Sequence, residues 1–228
     1  MHRREIKSYV IRKGRFTAGQ KRALADHWSR FGLEVSDGLI DTAMIFPVQQ
    51  PLVLEIGFGM GESLLETAYH HQNRNYIGVE VHRPGVGHLL HLAAEAELKN
   101  LRVYCADSVN VLSNCLPVEC LDKVQIFFPD PWHKKKHHKR RLITANFVNL
   151  LAKVLKSGGV VHIATDWDDY AEQIETVFTD WPTCDIPERS STKYEKRGLK
   201  LKHDVHDLAY TKIERDTSQS EGVRWIAY

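Results

Sequence analysis

From Pro51 onward, short apolar runs alternate with amphipathic stretches, and this alternation is the strongest constraint on what the chain can fold into. The runs have the length of strands buried on both faces. Such strands need helices between them to cover the sheet, which is the pattern of βαβ units and a parallel sheet. Strands are predicted over residues 52–56, 76–81, 102–105, 124–128 and 160–164. The helical period predicts helices over 62–71, 87–98 and 145–156, the last burying Phe147, Leu150, Leu151 and Val154 and stopping at Ser157-Gly158-Gly159. One more helix, over 168–178, is entered through Thr165-Asp166-Trp167 and ended before Pro182. The first fifty residues show no clear period, and residues 216–228 are equally uninformative. No repeat or Pro-, Gly- or Ser-rich linker divides the chain. It reads as one α/β domain over 46–228, preceded by a basic arm over 1–45 whose Arg12-Lys13-Gly14-Arg15 stays mobile until it meets a partner.

A formal net charge of +2 does not announce a nucleic-acid protein, but the charge is unevenly placed. Up to Arg22 the chain carries Arg3, Arg4, Lys7, Arg12, Lys13, Arg15, Lys21 and Arg22 against Glu5 as the one acid. A second cluster is Lys134-Lys135-Lys136-His137-His138-Lys139-Arg140-Arg141. The four cysteines have no CxxC spacing and read as reduced thiols, which suggests a cytoplasmic protein. No apolar run approaches the roughly 20 residues that span a bilayer, and the N-terminus lacks the apolar core of a secretion signal. The thirteen histidines show no H-E-x-x-H or Cys/His spacing, so no metal and no membrane are expected.

After the first strand comes Glu55-Ile-Gly57-Phe-Gly59-Met-Gly61-Glu62, a glycine turn that lets backbone pass close to a ligand. A dinucleotide fingerprint would place the third glycine one residue later and seat a pyrophosphate on the helix N-terminus. Here an acid precedes the turn. A carboxylate suits a cation and repels a pyrophosphate, so the expected ligand is S-adenosylmethionine, whose sulfonium and ammonium are positive and which has no phosphate. The second strand ends in Gly78-Val79-Glu80, where an acid holds ribose hydroxyls in Rossmann-type folds. The third is followed by Ala106-Asp107-Ser108, whose carboxylate either accepts from an adenine amino group or caps the next helix. The glycine turn alone could be structural; three acids on successive strand ends converge where ligands bind in such sheets.

The fourth strand runs into Phe127-Phe128-Pro129-Asp130-Pro131-Trp132, where two prolines stiffen the backbone and fix the direction of Asp130. A stiff turn with a buried Trp accounts for Pro131 and Trp132, less well for a carboxylate between prolines. In a methyltransferase this strand tip would align the acceptor with the methyl group.

With these residues in view, the chain resembles the bacterial tRNA (guanine-N7-)-methyltransferase family from the N-terminal arm to about Tyr210. The resemblance rests on the glycine turn, Gly78-Val-Glu80, Phe128-Pro-Asp-Pro-Trp-His-Lys134 with His137-His-Lys-Arg-Arg141, Ala164-Thr-Asp-Trp167, Thr192-Lys-Tyr-Glu195 with Arg197-Gly198, and His206-Asp-Leu208. It implies a Rossmann-like class I fold dependent on S-adenosylmethionine, with a mostly parallel twisted sheet and helices on both faces. The implied activity is methylation of N7 of a guanine in the tRNA variable loop. By the same resemblance Glu55, Gly57, Gly59, Gly61, Glu80, Asp107 and Asp130 meet the cofactor, and Asp130 is the active-site residue. Lys134, Asp166, Thr192, Lys193, Tyr194 and Glu195 fall on substrate-binding positions. Lys136, His137, His138, Lys139, Arg140 and Arg141 fall on a segment that touches RNA. The chain departs from the family at Ser190-Ser191, where many members carry proline, and in a shorter connection over 181–189.

Two alternatives bear on these expectations. Enzymes acting on exocyclic amino groups carry Pro-Pro-aromatic at the fourth strand tip, against the Pro-Asp-Pro-Trp order here. An RNA-binding module without turnover would share the fold, but the intact set of acids argues against it. Monomer and homodimer are equally compatible with the sequence.

Overall fold

The computed structural model describes residues 7–10, 16–189 and 204–213. In chain order these form α1 (Ala18–Phe31), β1 (Gly32–Leu33), a 3₁₀ turn (Val35–Asp37), α2 (Thr42–Ile45), β2 (Leu52–Ile56), α3 (Glu62–His70), β3 (Asn75–Val79), α4 (Arg83–Glu95), β4 (Leu101–Tyr104) and α5 (Ser108–Asn114). There follow β5 (Leu121–Phe127), a second 3₁₀ turn (Lys135–Arg140), α6 (Ala145–Val154), β6 (Leu155–Thr165), α7 (Asp168–Val177) and β7 (His206–Thr211).

Among the described residues seven strands make one sheet in the order β1-β4-β3-β2-β5-β6-β7, parallel except for β7 against β6. The chain steps outward from β2 to β3 and β4, then returns to lay β5 on the other side of β2. Ligand crevices form at such a reversal, outside the carboxyl ends of the strands. One face of the sheet packs Leu54 and Ile126 with Phe147 and Leu151 of α6 and Ile174 of α7. The other packs Val53 with Leu64 of α3, Leu89 and Leu90 of α4, and Phe31 of α1. Helices therefore cover both faces, as the alternation of runs required. No described helix is long and apolar enough to cross a membrane.

The sequence expectation lacks β1, α2, α5 and β7 and begins α4 at Gly87, not Arg83; two further departures have a visible cause. The unperiodic N-terminal region contains α1, started by Thr17, whose side chain accepts from the Gln20 N–H while the Gln20 side chain returns to the Thr17 backbone. Its buried stripe is thin, Ala23 and Phe31, which is why the period is faint. It docks where Gly87 of α4 has no side chain: a Cβ there would lie 2.4 Å from the Gln20 carbonyl. The second departure is α6, which ends at Val154 and not at Lys156. Leu155 pairs with Leu121 in β6, and the ladder is irregular before Lys123 pairs with Val160. Gly158 takes φ +74° and donates to the Lys212 carbonyl at 2.8 Å. Ser157-Gly158-Gly159 is thus a strand irregularity and not a helix stop.

Candidate active site

The glycine turn leaves β2 with Gly57, Gly59 and Gly61 at φ of +80°, +61° and +85°. Left-handed backbone favours glycine at all three. A Cβ on Gly57 or Gly59 would meet nothing within 4 Å, so these two face open space. Glu80 closes the turn onto the end of β3: its carboxylate accepts from the Gly59 N–H at 2.9 Å, the Val81 N–H at 2.7 Å and the His82 N–H at 2.9 Å. About four lone-pair sites exist on such a carboxylate, so one remains for a ligand hydroxyl.

Glu55 stands on β2, one residue before the cleft wall begins. It pairs in register with Gly78 and Gln125 and is only 5% exposed, and Ile56 and Gly57, not Glu55, line the cleft described below. Burial pushes its carboxyl up to about 7, with Lys123 opposing. Lys123 is in turn pushed down to about 8 by burial and by Arg74, Glu55 opposing. Asp107 caps α5, accepting from the Val109 N–H at 3.0 Å, between Ala106 and Ser108 of the cleft wall.

These strand ends enclose a cleft of about 350 Å³. Its walls are Ile56, Gly57, Gly59, Val79, Glu80, Val81, His82, Ala106, Ser108, Ile126, Phe127, Phe128, Pro129, Asp130 and Leu142, closed by Ser8, Tyr9 and Val10. The lining holds the acids Glu80 and Asp130, with no lysine or arginine among the described residues. Apolar walls with two acids fit a nucleoside bearing a cationic centre better than a pyrophosphate.

Asp130 stands exposed at the rim of this cleft. Phe128 and Trp132 bracket its turn with φ of +52° and +51°, conformations that side chains rarely take. Tertiary contacts hold them. Phe128 N–H donates to the Ala164 carbonyl at 2.7 Å, and the Trp132 indole donates to the Ser8 carbonyl at 3.1 Å. Arg140 lies 4.0 Å over the Trp132 ring and donates to the carbonyls of Lys7 at 3.0 Å and Tyr9 at 3.3 Å.

The basic segment therefore divides. Lys134, Lys135, Lys136 and Lys139 are exposed. His137 lies edge-on to Trp132, burial and the flanking cations lowering its pKa. His138 stands 3.7 Å from Asp169. Arg140 grips the N-terminal residues. Arg141 is 3% exposed and turns its guanidinium N–H groups inward. They reach the carbonyls of Pro131 at 2.9 Å and Asp169 at 3.3 Å, Gln173 Oε1 at 2.7 Å, His138 Nε2 at 3.3 Å and the Asp169 carboxylate. It braces the Pro-Asp-Pro turn against α7. Asp166 is half-buried directly after β6. Thr192, Lys193, Tyr194, Glu195 and the motif Arg12-Lys13-Gly14-Arg15 lie outside the described residues. Sequence reasoning missed Ser8, Tyr9 and Val10 as cleft wall; their contacts with Trp132 and Arg140 join residues more than 120 positions apart, which no local pattern signals.

A parallel sheet with an antiparallel last strand and an acid-lined cleft at the strand reversal defines a Rossmann-like class I methyltransferase. The family model described as "Putative methyltransferase" matches residues 49–208. A tRNA (guanine-N(7)-)-methyltransferase of Halorhodospira halophila is 48% identical over 94% of this chain and 98% of its own length. That of Colwellia psychrerythraea is 46% identical over 92% of this chain and 90% of its own. Among solved structures the 16S rRNA methyltransferase KamB shares the fold, with TM-score 0.58 and 15% identity over 75% of this chain and 92% of that one. The chain belongs to the tRNA (guanine-N(7)-)-methyltransferase family.

Proposed function

We propose that this chain transfers the methyl group of S-adenosylmethionine to N7 of a guanine in cytoplasmic tRNA. The observation that carries the reading is an adjacency: a cleft whose described lining holds acids and no lysine or arginine opens at Asp130, and exposed lysines follow within a few residues. When bound, S-adenosylmethionine supplies an electrophilic methyl on a sulfonium. Glu80 accepts from its ribose hydroxyls, and Asp107 accepts from its adenine amino group. Gly57, Gly59 and Gly61 let backbone approach the ligand, while Glu55 acts from behind the wall by adding negative potential beneath the turn when ionised.

Guanine N7 already carries a lone pair, so no proton need leave before attack and no protein nucleophile is needed. The transfer moves positive charge onto the guanine. Asp130 and Asp166 accept from guanine N–H groups and stabilise that charge as orienting partners, not general bases. Lys134 and the run Thr192 to Glu195 hold the substrate. Lys136, His137, His138 and Lys139 meet the RNA, with the lysines on phosphates, and Arg140 and Arg141 support them from within. Among the described residues no cluster of His, Cys, Asp or Glu is placed to hold a metal, and the mechanism calls for none.

Purified protein incubated with S-adenosylmethionine and unmodified tRNA is expected to yield 7-methylguanosine at one mapped nucleotide. In the Glu55→Gln variant, which lacks the group that titrates at about 7, turnover should stay flat from about pH 7 to 9 with chemistry rate-limiting; a steep rise across neutrality would overturn the assignment of the two acids. Replacing Lys135, Lys136 and Lys139 with Gln should lower the slope of log affinity against log salt by about 2, leaving S-adenosylmethionine affinity intact. An equal loss of both affinities would separate the lysines from RNA binding.

A further inference from the structure

Behind the Phe127 and Phe128 wall of the cleft, β5, β6 and β7 carry a polar row that is buried at Gln125 and His162. Gln125 lies in register with His162, and Asp207 stands on β7 opposite Ala164. His162 is fully buried, edge-on to the Phe127 ring at 5.1 Å, with Nε2 2.8 Å from Asp207 Oδ1. Its Nδ1 has no hydrogen-bond partner among the described residues. Burial lowers the His162 pKa, against the pull of Asp207, so the neutral ring donates its Nε2–H to the carboxylate. Asp207 also receives a fork from Arg189, Nε to Oδ1 at 2.8 Å and Nη2 to Oδ2 at 2.9 Å. Burial works against that carboxylate, yet the hydrogen bonds from His162 and Arg189 hold it well below the ordinary range.

This is a costly arrangement for a loop. A guanidinium 8% exposed, paired in both prongs and backed by a buried histidine, has one geometry available to it. Its place gives that geometry consequences. Arg189 closes the described stretch 16–189, and its pair with Asp207 ties that end to β7. The same guanidinium lies 5.2 Å from the Phe127 ring and 5.9 Å from the Phe128 ring. Phe128 is the left-handed residue from which Pro129 and Asp130 depart.

We propose that Arg189, locked by Asp207 and His162, is a positioning residue for guanine methylation. It sets the direction of the Asp130 turn through Phe128, whose ring lies beside its guanidinium. The proposal rests on the reading of Asp130 as the acid that faces the guanine. Lysine at 189 would keep the charge but lose the two-pronged fork to Asp207.

The test uses the full chain with unmodified tRNA, comparing Arg189→Lys, Asp207→Asn and the double variant. At saturating tRNA and S-adenosylmethionine, Arg189→Lys should lose about 30-fold in kcat, the scale expected when reacting groups are displaced by a fraction of an ångström. Cofactor affinity and tRNA affinity should stay near those of the unaltered chain, while the melting temperature falls by a few degrees for the lost fork. A merely structural role would move the melting temperature and both affinities together. The double variant should lose no more than the worse single one, because the two side chains act as a unit. Should Asp207→Asn fail to fold, the kcat-against-affinity split of Arg189→Lys decides alone. Full turnover by Arg189→Lys, additive losses, or a defect that follows unfolding would overturn the proposal. Absence of N7 methylation by the unaltered chain would overturn the function and this proposal together.

Discussion

The two turns at the heart of the site are built on opposite principles. The glycine turn and the Pro-Asp-Pro turn leave adjacent strands, β2 and β5, and both pass through left-handed backbone. The first does so at three glycines, where the conformation costs little. The second does so at Phe128 and Trp132, each costing roughly 1–2 kcal/mol. A turn made of glycines needs few contacts to hold it, and the Glu80 carboxylate supplies one, at the Gly59 N–H. A strained turn must be held from outside. Ala164 of β6, Ser8 near the N-terminus, Arg140 and Arg141 do this from four directions. Residue choice shapes the cofactor side; tertiary contact shapes the catalytic side.

Arg141→Ala is the severest way to break that contrast. It leaves Gln173, the Pro131 carbonyl and the Asp169 carboxylate without their donor, and opens a void beside Tyr170, over whose ring the guanidinium sits at 4.8 Å. Loss of about 3 kcal/mol is expected, read as a lower urea midpoint. In the fraction that stays folded, turnover should fall by about 100-fold while S-adenosylmethionine affinity holds within about 3-fold. Parallel losses would mean that the turns are one mechanical unit.

How far the sequence discloses this site follows from the same contrast. Strands β2 to β5 and the front of the cleft are legible because unbroken apolar runs and a glycine pattern are local signals. The Thr17 to Gln20 cap was also in the sequence, and it marks α1 where the thin Ala23 and Phe31 stripe does not. Ser157-Gly158-Gly159 is ambiguous locally, because glycines end helices and interrupt strands alike; pairing of Leu155 with buried Leu121 decides it. The charge of the basic segment is legible, but the direction of each side chain is not. Nothing near Arg141 in sequence reveals that Asp169 and Gln173 await it on α7. Glu55 is similar: residues 52–56 are all buried, and only the completed sheet tells which wall the acid stands behind.

Glu55 is where the glycine turn carries its own cost, and Glu55→Gln removes it. The folded carboxyl titrates at about 7 against an ordinary 4.5, so between those values the folded chain retains a proton that the unfolded chain has released. Its contribution is therefore complete below the ordinary value and lost as pH rises through about 7. The Gln variant should match the parent near pH 4 and exceed it at pH 8 by about 2 kcal/mol, somewhat under the full shift because Lys123 loses its partner. Urea midpoints at the two pH values measure this. A variant no more stable at pH 8 would show that Lys123 already neutralises the cost. Cofactor affinity should weaken by less than about 10-fold, as befits a group acting from behind the wall.

The smallest change tests whether the glycine turn is as self-sufficient as its residues suggest. A Cβ on Gly85 of α4 would lie 1.9 Å from the Gly59 carbonyl, a contact of backbone with no side chain to give way. Gly85→Ala must push the turn outward or α4 back, at a cost of about 1–3 kcal/mol. Glu80 tethers the turn at the Gly59 N–H, so displacement should appear first as weaker S-adenosylmethionine binding, about 10-fold or 1.4 kcal/mol. Calorimetric titration measures it. Because the Pro-Asp-Pro turn takes its supports from β6, α7 and the N-terminus, kcat at saturating cofactor should survive. If kcat falls with affinity, the disturbance has crossed from β2 to β5 along their shared ladder. The strain at Phe128 would then be borne by the glycine turn as well as by its own braces.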